Sequence, residues 1–368
     1  VTPLEERLIA RITAGGPITV ADYMTAALTD PDHGYYRRAD PLGAAGDFVT
    51  APEISQLFGE MIGAWLIDCW EQCGRPRPVR LVELGPGRGT LMADALRVGR
   101  LAPDFLTAIE VHLVEINPAL RRAQAATVGR YRPTWHDALP TVPTGPILLV
   151  ANEFLDALPI RQLLRLDHAW RERLVGWNVE RGFHFVASRA ASPLGLLVPR
   201  TIEGVRNGDL FEFSPAVIDT VAEISRRIAG DGGAALLIDY GRQKSAIGES
   251  LRAVRNHAPA PVLSSPGMCD ISAHIDFALV RQVAAEGGSM PFGPRAQGPF
   301  LEALGIGTRA ETLKRDRSRT EAIAIDAAMT RLIDPEAMGT LFKTLAISSG
   351  GLWPPGFDAN DPGAVSPP

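Results

Sequence analysis

The sequence predicts an α/β protein: a wound, mainly parallel sheet with a helical N-terminal cap and an inserted β segment. Three observations predict it. Short, mostly apolar runs recur at 79–84, 111–115, 147–151 and 234–239, with helical spacing between them. A glycine-rich bend joins the first run to the helix after it. Between residues 159 and 213 this alternation stops, and strand-like stretches follow one another directly.

Residues 1–75 read as helical. Leu4, Leu8, Ile9 and Ile12 recur at helical spacing, and Thr19 to Asp22 offers the N-cap of a second helix. Residues 30–47 are rich in Gly, Asp and Tyr. A third helix is expected over 53–72, with Thr50-Ala-Pro-Glu53 as its capping box. After the strand at 79–84 and its bend come a helix over 91–101 and a strand over 111–115. Asn117-Pro118 caps and opens the next helix. Residues 131–136 form a weaker strand. The unbroken apolar run 147–151 suits a strand buried on both faces. The insertion holds strands at 163–166, 174–179 and 183–186, expected to be antiparallel. Ser214-Pro215 starts a helix to about residue 228, and 234–239 is a further buried strand. Beyond Gly241 the pattern weakens, with a helix over 274–285 and a loose tail from 350 to 368.

Composition excludes several classes. The chain has 368 residues, 46% hydrophobic and 21% charged, an ordinary globular balance. No apolar run approaches the ~18 residues of a membrane helix. The first residues, Val1-Thr-Pro-Leu-Glu-Glu6, show neither the basic nor the apolar region of a secretory signal. Three cysteines make no disulfide framework or zinc spacing, which fits a reducing compartment. The seven histidines form no H-E-x-x-H pair, and there is no G-x-S-x-G elbow, so neither a metal site nor a serine hydrolase is expected. A net charge of −5 argues against a nucleic-acid partner. Only Lys244, Lys314 and Lys343 are lysines among 37 basic residues, a bias that arginine-rich codon usage explains.

The chemistry concentrates in Leu81-Val-Glu-Leu-Gly-Pro-Gly-Arg-Gly-Thr90. Gly85, Gly87 and Gly89 let the backbone turn sharply and approach a ligand where a Cβ would not fit. The helix start then offers free N–H groups. A nicotinamide or flavin fingerprint would place its third glycine three residues after the second; here the interval is two. No G-K-[ST] follows, which excludes a P-loop. A purely structural turn is the plain alternative. The E-x-G-x-G-x-G spacing, with Glu83 ahead of the glycines, resembles motif I of class I S-adenosylmethionine (SAM) methyltransferases. SAM carries an ammonium in place of a pyrophosphate, which suits a carboxylate there. Glu115 ends the second strand, where an acid can accept both ribose hydroxyls. Asp137 follows the third strand, at a position where such enzymes set an acid against the adenine amine. Asn152 and Glu153 end the fourth. Polar groups thus stand at the carboxyl ends of four successive strands, where open α/β sheets bind ligands.

Six segments resemble the MidA-type methyltransferases across nearly the whole chain: 46–60 (Gly-Asp-Phe-Val-Thr-Ala-Pro-Glu-Ile-Ser-Gln-Leu-Phe-Gly-Glu), 83–91, 113–117, 152–159 (Asn-Glu-Phe-Leu-Asp-Ala-Leu-Pro), 239–241 and 273–277. The resemblance implies a Rossmann-like class I methyltransferase sheet. It also implies SAM as cofactor and a protein arginine as methyl acceptor, in a core subunit of complex I. The segment at 152–159 departs from the family in having Phe154-Leu155 where two aromatics are expected. The implied location is the cytoplasm of a bacterium or the mitochondrial matrix of a eukaryote.

The expected division is a cap (1–75), a SAM-binding domain (76–160 and 214–310), an inserted substrate segment (161–213) and a C-terminal extension (311–368). Glu83, Gly85, Gly87, Gly89, Glu115, Asp137 and Asn152 are the expected cofactor residues. Glu153, with Asp156 as second candidate and Asn152 beside it, is expected to orient the acceptor guanidinium. A guanidinium stays charged, so localising its charge by a carboxylate frees one nitrogen to react. Asp47, Phe48, Glu53, Asp239 and Tyr240 are expected on the substrate side. No metal and no membrane insertion are expected. A base-amine methyltransferase, suggested by Asn152-Glu-Phe154, and a non-catalytic SAM-binding assembly factor are the rival readings.

Overall fold

The computed structural model describes residues 1–37 and 50–358. Asp47 and Phe48, expected on the substrate side, lie outside them, as does the end of the expected tail. The described chain divides into two compact units, residues 50–155, 220–243 and 277–358 in one, residues 1–37, 156–219 and 244–276 in the other. The segment expected as one cap, 1–75, therefore contributes to both.

The first unit is built on the strands β1 (Val79–Leu84), β2 (Ile109–Val114), β3 (Thr134–His136), β4 (Ile147–Asn152), β5 (Gly233–Arg242), β6 (Met290–Ala296) and β7 (Phe342–Ser348). They lie in the order β6-β7-β5-β4-β1-β2-β3. Strands β1 to β5 run parallel and β7 is antiparallel to both neighbours, β5 and β6. Chain order reverses between β1 and β4, so the carboxyl ends of these two strands form a switch point of the kind where α/β sheets take ligands. Strand β4 is buried throughout and β5 over residues 233–239, as their apolar runs require.

Helix α1 (Gln56–Gln72) packs its Leu57, Phe58, Ile62, Trp65 and Leu66 into this core. It lies close against α2 (Thr90–Val98). A Cβ on Gly63 would stand 2.7 Å from the Ala95 Cα, so glycine sets the approach. Helix α1 starts later than expected. Ser55 is extended (φ −159°, ψ 138°), separating a four-residue turn, Ala51–Ile54, from α1. The expected capping box is absent: the Thr50 side chain caps nothing, and the Ser55 hydroxyl accepts the Leu57 N–H instead. The anticipated cap on α3 (Pro118–Val128) is present, with Asn117 Oδ1 accepting from Ala119 and Leu120.

The region read as a C-terminal extension is part of the same unit. It carries helices Arg319–Ile333 and Met338–Leu341 and supplies β7, which lies between β5 and β6. The start of the expected loose tail is also packed: Trp353 meets Phe292 edge-on at 4.9 Å and Phe357 lies 5.3 Å from Phe300.

The second unit joins helices Pro3–Gly15 and Val20–Thr29 to an antiparallel sheet of Arg161–Leu166, Ala169–Asn178, Gly182–Ala187 and Leu210–Phe213. The expected box at Thr19 and Asp22 forms. The inserted strands are antiparallel as expected, with Leu210–Phe213 as a further member. Leu4, Leu8, Ile12, Tyr23, Met24 and Val175 meet in its core. Among the described residues no helix is long and apolar enough to cross a membrane, and no group of three or more ligating side chains could hold a metal.

Candidate active site

The switch point is built from the corner after β1. Gly85, Gly87 and Gly89 have φ values of 62°, 54° and 84°, a region that costs residues with a Cβ about 1–2 kcal/mol each. A Cβ on Gly85 would also stand 2.7 Å from Cδ2 of Phe154. Gly89 is the N-cap of α2 and offers no side chain to its first N–H groups.

Glu83 lies beneath this corner, 3% exposed. The Met92 N–H bonds to its carboxyl, but Oε2 has no partner among the described residues. Burial pushes its pKa up to about 8. A buried carboxyl with a vacant oxygen is costly unless a ligand donor meets it.

Glu115, just past β2, is also buried. Its Oε1 accepts the Asn117 N–H at 2.7 Å and its Oε2 faces Gln124 Nε2 at 3.4 Å. Burial raises its pKa, and these bonds oppose the rise. Gln124 also donates to the Gly87 carbonyl at 2.7 Å and accepts from Trp135 Nε1 at 2.8 Å, tying the corner to Glu115. Sequence reasoning missed Gln124. Its signal was a polar side chain on the apolar stripe of α3, between Leu120 and Val128. Asp137, just past β3, is 83% exposed and pairs at 2.7 Å with Arg121, which also donates to the Glu115 carbonyl at 2.7 Å.

Strand β4 ends on Asn152, and Glu153 turns away with φ 50°. Strained backbone of this kind concentrates at functional sites. The Glu153 N–H donates to the Ile238 carbonyl, fixing the turn against β5. Glu153 Oε1 accepts from the Ala51 N–H at 2.9 Å and from Asn152 Nδ2 at 3.2 Å. Burial pushes its pKa up to about 7, against those two bonds. Asn152 Oδ1 is buried without a partner among the described residues. Glu53 is exposed and accepts from the Thr90 hydroxyl at 2.5 Å, linking the Ala51–Ile54 turn to the start of α2.

Asp239, fully buried near the end of β5, accepts the Leu155 and Tyr240 N–H groups, each at 2.9 Å. Its carboxylate thus holds the loop after Glu153. Tyr240 packs edge-on to Phe342 at 5.8 Å. Asp156 belongs to the other unit, where its carbonyl accepts the Ala273 N–H. His112 and His136, unpaired in the motif reading, come together with ring nitrogens 3.0 Å apart.

Residues 61–295 match the family model of S-adenosyl-L-methionine-dependent methyltransferases. The Drosophila melanogaster protein arginine methyltransferase NDUFAF7 homolog, mitochondrial, is 37% identical over 95% of this chain and 85% of its own. The chain belongs to the SAM-dependent methyltransferase family. The human protein arginine methyltransferase NDUFAF7, mitochondrial, is 35% identical over 94% of this chain and 83% of its own. A Burkholderia thailandensis protein, described as a COG1565 superfamily member and bound to S-adenosyl-homocysteine, superposes with a TM-score of 0.80. It has 28% identity and the match covers 96% of this chain and 93% of that one. This methyltransferase therefore has the Rossmann-like class I sheet that its strand order describes, and SAM is its cofactor.

Proposed function

We propose that this methyltransferase transfers methyl groups from SAM to an arginine side chain of a protein, a subunit of complex I (NADH:quinone oxidoreductase), supporting its assembly. The observation that carries the reading is Glu153. It is a desolvated carboxyl on a strained turn, one oxygen held by Ala51 and Asn152, at the mouth of the switch point. The relatives named above are protein arginine methyltransferases over nearly the same length. The MidA-type resemblance supplies complex I as the target, and the names of those animal relatives include the word mitochondrial. In a bacterium the site of action would be the cytoplasm, in a eukaryote the mitochondrial matrix.

The corner suits SAM. Glu83 has a buried oxygen without a donor among the described residues, which the methionyl ammonium would supply. The three glycines take the positive φ values that the tight corner requires. Glu115, oriented by Asn117 and Gln124, would hold the ribose hydroxyls. When bound, SAM supplies an electrophilic methyl group on a sulfonium. Glu153 would pair with the acceptor guanidinium and localise its charge away from the reacting nitrogen, so that most of the rate comes from positioning. Asn152 would orient Glu153, and its Oδ1, without a donor among the described residues, would accept a further N–H. Asp239 acts behind them, through the loop it holds.

Glu115→Ala is expected to weaken SAM binding about 10- to 100-fold, because charge-assisted bonds contribute about 1.5–3 kcal/mol each. Calorimetry with unchanged affinity would remove the ribose role. Gly85→Ala should cost about 1–2 kcal/mol in denaturant unfolding through its positive φ, and weaken SAM binding by pushing on Phe154.

The activity is tested by adding the protein and methyl-labelled SAM to a lysate that lacks it. Label in methylarginine after protein hydrolysis is the expected result. Label in nucleic acid would favour a base-amine enzyme, and no label a non-catalytic assembly factor.

A further inference from the structure

We propose that the turn Pro193–Leu197 is a membrane-surface contact, laying Leu196 and Leu197 into the headgroup region of an anionic bilayer. Leu196 is 90% exposed and Leu197 53%, adjacent on one 3₁₀ turn. Single exposed leucines are ordinary, whereas two in succession on one turn make a small apolar patch.

The turn is held by its own bonds. Ser192 caps it through its hydroxyl, Pro193 opens it, and the Ser192 N–H donates to the Trp170 carbonyl at 2.7 Å. Gly195 lies on Trp170 so closely that a Cβ there would stand 2.9 Å from the Trp170 Cβ. The leucines are thus presented by a braced turn.

Charge favours a bilayer. The chain carries −5 overall. Yet residues 189–206 hold Arg189, Arg200 and Arg206 against Glu203 alone, and all four are exposed. At the base of the turn, Arg171 donates to the Arg189 carbonyl and Arg165 stands over the Trp170 ring at 5.6 Å. Asp167 pairs with Arg171 at 3.7 Å, and the Asp209 carbonyl accepts the Arg165 N–H; with both acids counted the surroundings stay net positive. Exposed apolar side chains on a turn with arginines at its base match an interface whose headgroups are anionic and whose interior is apolar.

The test is co-sedimentation of the whole protein with vesicles of phosphatidylglycerol and phosphatidylcholine, and with phosphatidylcholine alone. Binding to the anionic vesicles is expected, with partitioning reduced about tenfold by Leu196→Asp and further when Leu197→Asp is added. Raising the salt should weaken it as well. Unchanged thermal unfolding of the variants shows that the fold is kept. Failure to bind anionic vesicles, or binding that survives the double substitution, overturns the proposal and leaves the turn to a protein partner. Methyl transfer is not part of the readout, so the outcome is independent of the proposed activity.

Discussion

Glu83→Gln should make the ligand-free protein more stable, by about 3 kcal/mol at neutral pH, while lowering SAM affinity about 100-fold. Both effects come from one buried carboxyl. Its pKa is raised from 4.5 to about 8 by burial. A group raised in this way contributes stability that is complete below the unfolded value and lost as the pH rises through the folded one. At neutral pH the unfolded chain gains by ionising Glu83 and the folded chain does not. Glutamine removes that penalty and keeps an acceptor for the Met92 N–H. The same substitution takes away the charge that would face the methionyl ammonium. A second consequence follows from the ionisation. SAM would draw Glu83 into its charged form, so binding at neutral pH should release close to one proton. Calorimetry in buffers of different ionisation heat reads that release, and Glu83→Gln should abolish it. Thermal unfolding that drops in the variant, or proton release that persists, would contradict this role.

Glu153→Gln is expected to reduce kcat/KM for the protein substrate by about 100-fold or more, with SAM affinity changed only a few-fold. Its pKa near 7 also sets a pH dependence. The carboxyl must be ionised to pair with a guanidinium, so kcat/KM should rise as the pH passes through about 7 and flatten above it. The rising limb should vanish in the variant. Full methylation by Glu153→Gln at neutral pH would end the assignment and return attention to Asp156.

The sheet was legible because its strands are signalled locally. Val79–Leu84 and Ile147–Asn152 are short apolar runs, and the glycine corner marks where one crossover begins. Caps at Thr19 and Asn117 were equally readable, since each depends on residues three or fewer apart. What escaped depends on contacts distant in sequence. Strand β7 carries Lys343 within its apolar pattern, and the fold accommodates that ammonium on the carbonyls of Thr340 and Leu341. Strand β6 contains Pro291, Gly293 and Pro294, which interrupt any strand pattern in the sequence. Among the described strands it pairs with β7 alone, and it absorbs them in an irregularity between Phe292 and Arg295. Within the site, the acids were visible and their environments were not. Asp239 and Asp137 look alike as strand-end carboxylates. One is sealed against two backbone N–H groups, the other lies in solvent on Arg121.

The central claim is that the corner at Gly85–Gly89, with Glu83 and Glu115, holds SAM. A crystal structure of the protein grown with S-adenosyl-homocysteine tests it most directly. The account predicts the ligand's ammonium beside Glu83 and its ribose hydroxyls on Glu115, with the sulfur facing the Glu153 turn. A ligand bound elsewhere, or a corner left vacant at millimolar S-adenosyl-homocysteine, would contradict it.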